Sequence, residues 1–253
     1  MVEHRRSALR TAVVWDALET ELAGMASTDP DDNTPGALRV VDLGGGTGGF
    51  AVRVAEQGHQ VTVVDPSPDA LAALDRRAAE AGVVDLVHGV QGDASDLSGL
   101  VADGSADVVL CHGVLEVVDD PEAALVAINT VLRPDGLVSV LVANRLAAVL
   151  TRALSGHFEQ ARAALIAPVH EWDPGLHGAR RYARDEVIRL LGGCGFSVQV
   201  VQAVRVFTDL VPSTLVDAEP GGPAALLELE RAAALVPELA AVAAQLHLLA
   251  RRD

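Results

Sequence analysis

The chain of 253 residues contains no lysine; all 19 of its basic residues are arginine. With its abundance of Ala, Val and Arg, that bias points to a GC-rich coding sequence and says nothing of function. Cysteine is nearly absent too. Cys111 and Cys194 stand far apart, without a Cys-x-x-Cys or histidine partner spacing, so neither a disulfide framework nor a zinc site is suggested. No apolar run reaches the ~18–20 residues that span a bilayer, so no membrane association is expected. Basic and apolar residues do open the chain, but Asp16, Glu19 and Glu21 interrupt them, and no small-residue cleavage site follows. A cytoplasmic protein is the expectation.

Positive charge is the minority sign. Against 35 acids the formal net charge is −16, which argues against wholesale binding to nucleic acid or anionic membrane. The charge is uneven, however. Between Arg145 and Arg205, eight arginines face five acids (Glu159, Glu171, Asp173, Asp185 and Glu186), a local excess of positive charge. Such a segment can meet a polyanion, or it can be a solvated surface with scattered arginines.

Half of the residues are apolar, which excludes a disordered chain. The length suits one large α/β domain, expected over 1–253. Residues 7–26 read as an amphipathic helix with Leu9, Val13, Leu18 and Leu22 on its apolar stripe. "STDPDDNTPGA" is a linker. Strand patterns follow at "LRVVDLG", "HQVTVVD", "VDLVHGVQGD", "ADVVLCHGVLEVV", "LVSVLVAN", "SVQVVQAVRVF" and "QLHLLARR". Helical patterns fall between them. One has Ser67 as N-cap and Pro68 at its first position, and another runs from Pro121 until Pro134 and Gly136 stop it. Residues 222–240 read as helical. This alternation predicts a parallel sheet flanked by helices. Segments 146–182 and 211–240 break it and are read as insert or cap on the substrate side. The ending, a late strand pair with a long connection, differs from a six-strand dinucleotide fold.

"VVDLGGGTGGF" carries two glycine fingerprints. Gly44-x-Gly46-x-x-Gly49 fits dinucleotide binding, while Asp42-x-Gly44-x-Gly46-x-Gly48 is the acidic variant found in enzymes that hold S-adenosylmethionine. Either ligand would meet backbone N–H groups at a helix N-terminus, with no Cβ in the way. A ligand-free tight turn is a third reading, but glycines at this spacing cost backbone entropy without an evident packing gain. Asp42 separates the first two. Its carboxylate would repel a pyrophosphate and attract the ammonium of a methionine moiety. Asp65, closing the second strand, suits ribose hydroxyls in either case. Asp93, after the third strand, could accept from an adenine amino group or cap the next segment; Pro66 and Ala94 lie beside these acids in the chain.

"DVVL…HGVLEVV" followed by "VLRPDGL" resembles the later motifs of class I S-adenosylmethionine-dependent methyltransferases, with Asp135 where that family usually has Gly. The resemblance implies a Rossmann-like, mostly parallel seven-stranded sheet with helices on both faces and a helical cap. It also implies a cofactor site at Asp42, Gly44, Gly45, Gly46, Gly48, Asp65, Pro66, Asp93, Ala94 and His112. Within that family the chain resembles the tRNA carboxymethoxyuridine carboxyl methyltransferases, through "LRTAVVW", "AEQGHQVTVVD", "CHGVLEVVDDP", "AVRVFTDL" and "ALLELERAAALVPEL".

A carboxylate acceptor is ionised at neutral pH and needs no strong base. An Arg fork is its natural clamp. By resemblance Arg10 is the first candidate, with Arg205 second; surface positions are the alternative for both. His112 could position substrate, act as a base or pack under the cofactor. Asn144, Arg145 and Tyr182 complete the expected substrate side, with a packed cap residue as the alternative for Tyr182. His157, His170 and His177 are too irregularly spaced for a metal. The subgroup's lysine-rich run is missing from the insert, where Arg180, Arg181 and Arg184 stand nearby, and Ala143 replaces an expected aromatic residue. The acceptor is therefore expected to be tRNA, met through the Arg-rich face, or a small organic molecule under a lid. A non-catalytic cofactor-binding regulator is a further alternative.

Overall fold

A computed structural model describes residues 2–26, 36–166 and 179–253, with side chains from Thr11 onward. Helix α1 (Val2–Ala26) buries Val13, Leu18 and Leu22 of the expected stripe, and Val14 and Met25 besides; the Leu9 side chain lies outside the described residues. Strands β1 (Arg39–Leu43) and β2 (Gln60–Asp65) are buried along nearly their whole length, as parallel strands covered by helices are. Helix α2 (Ala51–Glu56) joins them. Helix α3 (Pro68–Ala81) starts at the Ser67 cap, whose hydroxyl accepts from Ala70 N–H, and ends on Gly82 in the left-handed region. Then come β3 (Val87–Gln91), the short α4 (Leu97–Leu100), β4 (Ala106–His112) and α5 (Pro121–Val131), which Asp120 caps.

Strand β5 (Leu132–Ala143) begins five residues earlier than the sequence pattern suggests. Leu132 is already extended, at φ −69° and ψ 141°. Arg133 precedes a proline, a position that disfavours helix. Asp135 then takes a left-handed turn at φ 59°, a conformation that Asp tolerates better than most residues. Helices α6 (Arg145–Leu154) and α7 (Phe158–Ile166) form the described part of the insert, and α8 (Arg184–Gly193) leads to β6 (Phe196–Val204). The helix expected over 222–240 is shorter. After α9 (Ser213–Ala218), α10 (Gly222–Ala234) stops before Pro237, and a 3₁₀ turn at Leu239–Ala241 precedes β7 (Gln245–Arg252).

The strands form one seven-stranded sheet in the order β3-β2-β1-β4-β5-β7-β6. β1 runs parallel to both β2 and β4, and β2 runs parallel to β3. Backbone bonds from Asp253 N–H to Gly195 O and from Ala244 N–H to Arg205 O make β6 and β7 antiparallel. The sheet is mostly parallel, as expected. Chain order reverses between β1 and β4. Their carboxyl ends therefore open the switch-point crevice where open α/β sheets hold ligands.

Two compact units interleave along the chain. Unit 1 takes 1–17, 141–189 and 200–248; unit 2 takes 18–140, 190–199 and 249–253. Unit 2 packs around Leu43, Leu74, Leu97, Leu110, Leu115, Leu125 and Ile128, and unit 1 around Val14, Ala203, Leu246 and Leu248, all fully buried. Burying each leucine contributes about 2 kcal/mol of transfer free energy.

Candidate functional site

In unit 2 the switch point gathers the acids. Register places Asp42 beside Val63 of β2 and Leu110 of β4, so it ends its strand inside the sheet, 3% exposed. The glycine loop lies directly on it. A Cβ on Gly45 would stand 2.5 Å from the Asp42 carboxyl, and one on Gly48, at φ 76°, would run into Leu74. Only glycine lets this backbone close over the acid. Burial pushes the Asp42 pKa up to about 7; repulsion from Asp65 adds to this, and a hydrogen bond from Ala51 N–H opposes it. A carboxyl group so placed gains from a cationic partner.

Asp65 is buried at the end of β2 and organises the same loop. Its Oδ2 accepts Gly46 N–H at 2.9 Å and its Oδ1 accepts Ser67 N–H at 2.9 Å. Each oxygen retains a further lone pair for a hydroxyl. Asp93 is exposed. Its Oδ1 accepts both the N–H and the hydroxyl of Ser95, at 2.7 and 2.6 Å, which hold its pKa below the usual value. These bonds make a local turn, whereas α4 starts at Asp96 without a side-chain cap, so Asp93 does not take the capping role foreseen as its alternative. Pro66, Asp93 and Ala94 line one cavity of about 560 Å³ with Val117, Val118 and Ala124.

His112 ends β4. Its Nε2 lies 2.8 Å from the Ser139 hydroxyl, and its ring meets Phe50 edge to face at 4.8 Å. Burial lowers its pKa to about 4. A base that weak has little drive to take a proton at neutral pH, so the general-base role is withdrawn. The other two roles, positioning substrate and packing under the cofactor, do not depend on its basicity. Neither Phe50 nor Ser139 was expected here: Phe50 is the residue after the last loop glycine, and Ser139 is the lone hydroxyl in an apolar strand.

Unit 1 corrects two substrate-side expectations. Asn144 is 2% exposed; its amide nitrogen lies at 2.9, 3.1 and 2.8 Å from the carbonyls of Ala240, Ala241 and Ala243, and its Oδ1 accepts Leu146 N–H as the cap of α6. Tyr182 is equally buried and pairs its backbone with Ala143 and Arg145. The Asn144 amide is taken up by the fold, and Tyr182 has the packed position foreseen as its alternative. Arg145 is half-buried at the first position of α6. Arg10 lies in α1, and its side chain is outside the described residues, as are His170 and His177. Two arginines of the expected Arg-rich face pair locally: Arg162 with Glu159 at 3.3 Å and Arg184 with Asp185 at 3.2 Å.

Arg205 closes β6 in the left-handed region at φ 61° and pairs with Asp209 and with Gln245. The next three residues are tied to Glu230, a fully buried acid that the motif reading passed over. It had no visible signal beyond its place in "ALLELERAAALVPEL". Among the described residues no cluster of His, Cys, Asp or Glu could hold a metal ion, and no helix is long and apolar enough to cross a membrane.

Residues 41–140 match the methyltransferase-domain family. A tRNA 5-carboxymethoxyuridine methyltransferase of Escherichia coli K12 is 30% identical over 208 residues, 79% of this chain and 72% of that protein. A ubiquinone biosynthesis O-methyltransferase of Xanthomonas axonopodis is 34% identical over 122 residues, 48% of this chain and 50% of its own. Among solved structures, a magnesium protoporphyrin IX methyltransferase from Synechocystis with bound SAH superposes with a TM-score of 0.59 at 16% identity, covering 100% of this chain and 84% of that one.

Proposed function

The chain belongs to the class I S-adenosylmethionine-dependent methyltransferases, and from that premise we propose that it methylates a carboxylate oxygen, that of carboxymethoxyuridine in tRNA. S-adenosylmethionine is its cofactor, and when bound it supplies a methyl group on a cationic sulfur, open to attack by an oxygen nucleophile. The residues present fit it. Asp42, held partly protonated by burial, has the character of an anion waiting for a cation, and takes the cofactor's ammonium. Gly44, Gly45, Gly46 and Gly48 give the backbone cradle. The lone pairs that Asp65 retains take the ribose hydroxyls. Asp93 accepts from the adenine amino group, with Pro66 and Ala94 along the base, and the neutral ring of His112 packs against the cofactor.

The acceptor carboxylate needs no deprotonation, so the protein's task is to align it and strip its water. Alignment alone can contribute about 7 kcal/mol or more to the rate. Arg205, with Arg10 and Arg145, supplies the guanidinium side of that task; a planar fork suits a carboxylate better than a point charge does.

One observation carries the tRNA reading. The likeness to the tRNA enzyme covers 79% of the chain, more than unit 2 contains, whereas the ubiquinone-enzyme likeness at 48% covers less than unit 2 alone. The test is methyl transfer from labelled S-adenosylmethionine into two pools, small metabolites and bulk tRNA first treated with mild alkali to free any existing esters. Base-labile label in the tRNA is expected. Label confined to the small molecules would sink the reading.

A second reading keeps the cofactor site and takes a small apolar acceptor, with the insert as its lid. It is favoured by Leu154, Phe158, Leu165 and Ile166, all large and exposed on α6 and α7.

A further inference from the structure

The turn after β6 is built around one buried carboxylate. Glu230 of α10 is 1% exposed. Its Oε1 accepts the N–H groups of Phe207 and Thr208, at 2.9 and 2.7 Å, and the Thr208 hydroxyl at 2.6 Å; its Oε2 accepts Val206 N–H at 2.9 Å. Four donors converge on a single acid, and three of them are consecutive backbone amides. A buried carboxylate satisfied in this way fixes the backbone that it ties, because releasing any donor strands a charge-bearing group out of water.

What it fixes is the residue just before. Arg205 has a Cβ and yet stands at φ 61°, a conformation that costs roughly 1 kcal/mol or more for such a residue. Its guanidinium reaches Gln245 at 3.2 Å and pairs with Asp209, while its Nε is buried and has no partner among the described residues. A strained backbone, a buried donor left over and an acid already on the fork are poor features for a surface cation. They suit a guanidinium held ready for a second carboxylate, with Asp209 keeping the fork occupied meanwhile.

We propose that Glu230 is a positioning residue of the acceptor site: by clamping the 206–208 turn it holds Arg205 in the conformation that receives the acceptor's carboxylate. This rests on the reading of a carboxylate acceptor above. It also gives a physical reason for two sequence pieces, "AVRVFTDL" and "ALLELERAAALVPEL", to occur together. One contains the clamped turn and the other the clamp.

The test is steady-state methyl transfer to alkali-treated bulk tRNA by Glu230→Gln, Thr208→Val, Arg205→Ala and the unaltered enzyme, with cofactor affinity measured in parallel by calorimetry. In Glu230→Gln, KM for tRNA should rise about tenfold, with kcat within about threefold and cofactor Kd unchanged. Thr208→Val removes one donor and keeps the three amide bonds, so KM should rise only about two- to threefold, which keeps the test alive if Glu230→Gln fails to fold. A fall in kcat and cofactor affinity at unchanged KM would mean a merely structural role and overturn the proposal. If Arg205→Ala raises KM and neither clamp variant does, the clamp is wrong and the carboxylate reading stands. If Arg205→Ala leaves KM unchanged, Arg205 does not read the acceptor and the clamp proposal falls, while base-labile label in the tRNA still decides the carboxylate reading.

Discussion

The site acids of unit 2 and the buried polar groups of unit 1 are tied across different spans of chain. In unit 2 the partners of the site acids lie within 19 residues of them, Gly46 and Ser67 N–H on Asp65 and Ser95 on Asp93, although other ties of that unit, such as Asn129 to Gly195, run farther. In unit 1 the ties run far. Asn144 reaches Ala240 and Ala243, Glu230 reaches back to Val206, and Arg231 meets Asp16 at 2.7 Å. A site of the first kind can be written into a single motif. A site of the second kind exists only once separate segments have come together, and no local spacing announces it.

The largest effect that would separate the units is expected from Asp42→Asn. It removes the acid assigned to the cofactor's ammonium and should weaken cofactor binding by about 100- to 1000-fold, roughly 3–4 kcal/mol. Calorimetry with S-adenosylmethionine gives the number, and tRNA binding measured beside it should stay within about twofold. Equal losses of both ligands would mean that the division of labour between the units is wrong.

The counterpart in unit 1 is Asn144→Ala. It strips the partner from three carbonyls and uncaps α6, which should cost about 2–3 kcal/mol of stability. Urea denaturation measures the loss. Cofactor affinity of the folded variant is expected to be unchanged. A selective rise in KM for tRNA without loss of stability would restore the substrate role that burial denies it.

These two residues mark how far the sequence could be read. Asp42, Asp65 and the glycines were legible because strand, turn and helix follow one another within a few residues, and the chemistry of the turn is local. Ser67 as a cap and Asp135 as an oddity were legible for the same reason. The seven-strand ending was legible from the late strand pair. Asn144 was placed correctly at a strand end and given the wrong task, since nothing nearby in sequence says that three carbonyls of the 240–243 segment will close over it. Glu230 was invisible for a similar reason: an acid on an amphipathic helix looks solvated until the turn that surrounds it is known. The α5–β5 boundary failed differently. There Pro134 was read as the stop, whereas the proline's influence falls on the residue before it.

A smaller effect, about tenfold per pH unit at most, tests the electrostatics of unit 2 alone. Asp42 has its pKa raised from 3.8 to about 7, so the folded chain keeps a proton that the unfolded chain has lost. Its contribution to stability is full below about pH 4 and is lost as pH rises toward 7. His112 has the opposite sign. Its pKa is lowered from 6.5 to about 4, so its contribution is full above pH 6.5 and is lost as pH falls toward 4. The two slopes oppose each other, and Asp42→Asn should uncover the histidine slope, to which His59, also lowered by burial, adds, with stability rising over that range in urea titrations. Cofactor binding prefers the ionised Asp42, so affinity should fall below about pH 7 by up to about tenfold per unit. A slope that persists in Asp42→Asn would assign it to another group.

The smallest expected effect bears on how unit 1 would meet the proposed tRNA acceptor. Arg162 and Arg184 already lie within 3.3 and 3.2 Å of Glu159 and Asp185, and all four side chains are largely exposed. Each pair presents little net field to a phosphate, and exposed pairs of this kind contribute about 0–1 kcal/mol. Replacing both arginines by glutamine should therefore raise the Kd for tRNA by only about two- to threefold and leave the salt dependence of binding nearly unchanged. Replacing the acids instead, Glu159→Gln with Asp185→Asn, should tighten tRNA binding by a similar factor, because two guanidiniums are released. A loss beyond about tenfold in the arginine variant, with a flatter salt slope, would mean that the RNA backbone displaces the acids. The insert helices would then be a phosphate-reading surface, and the contrast between a self-contained cofactor unit and a clamp-built acceptor unit would have to include a third, electrostatic layer.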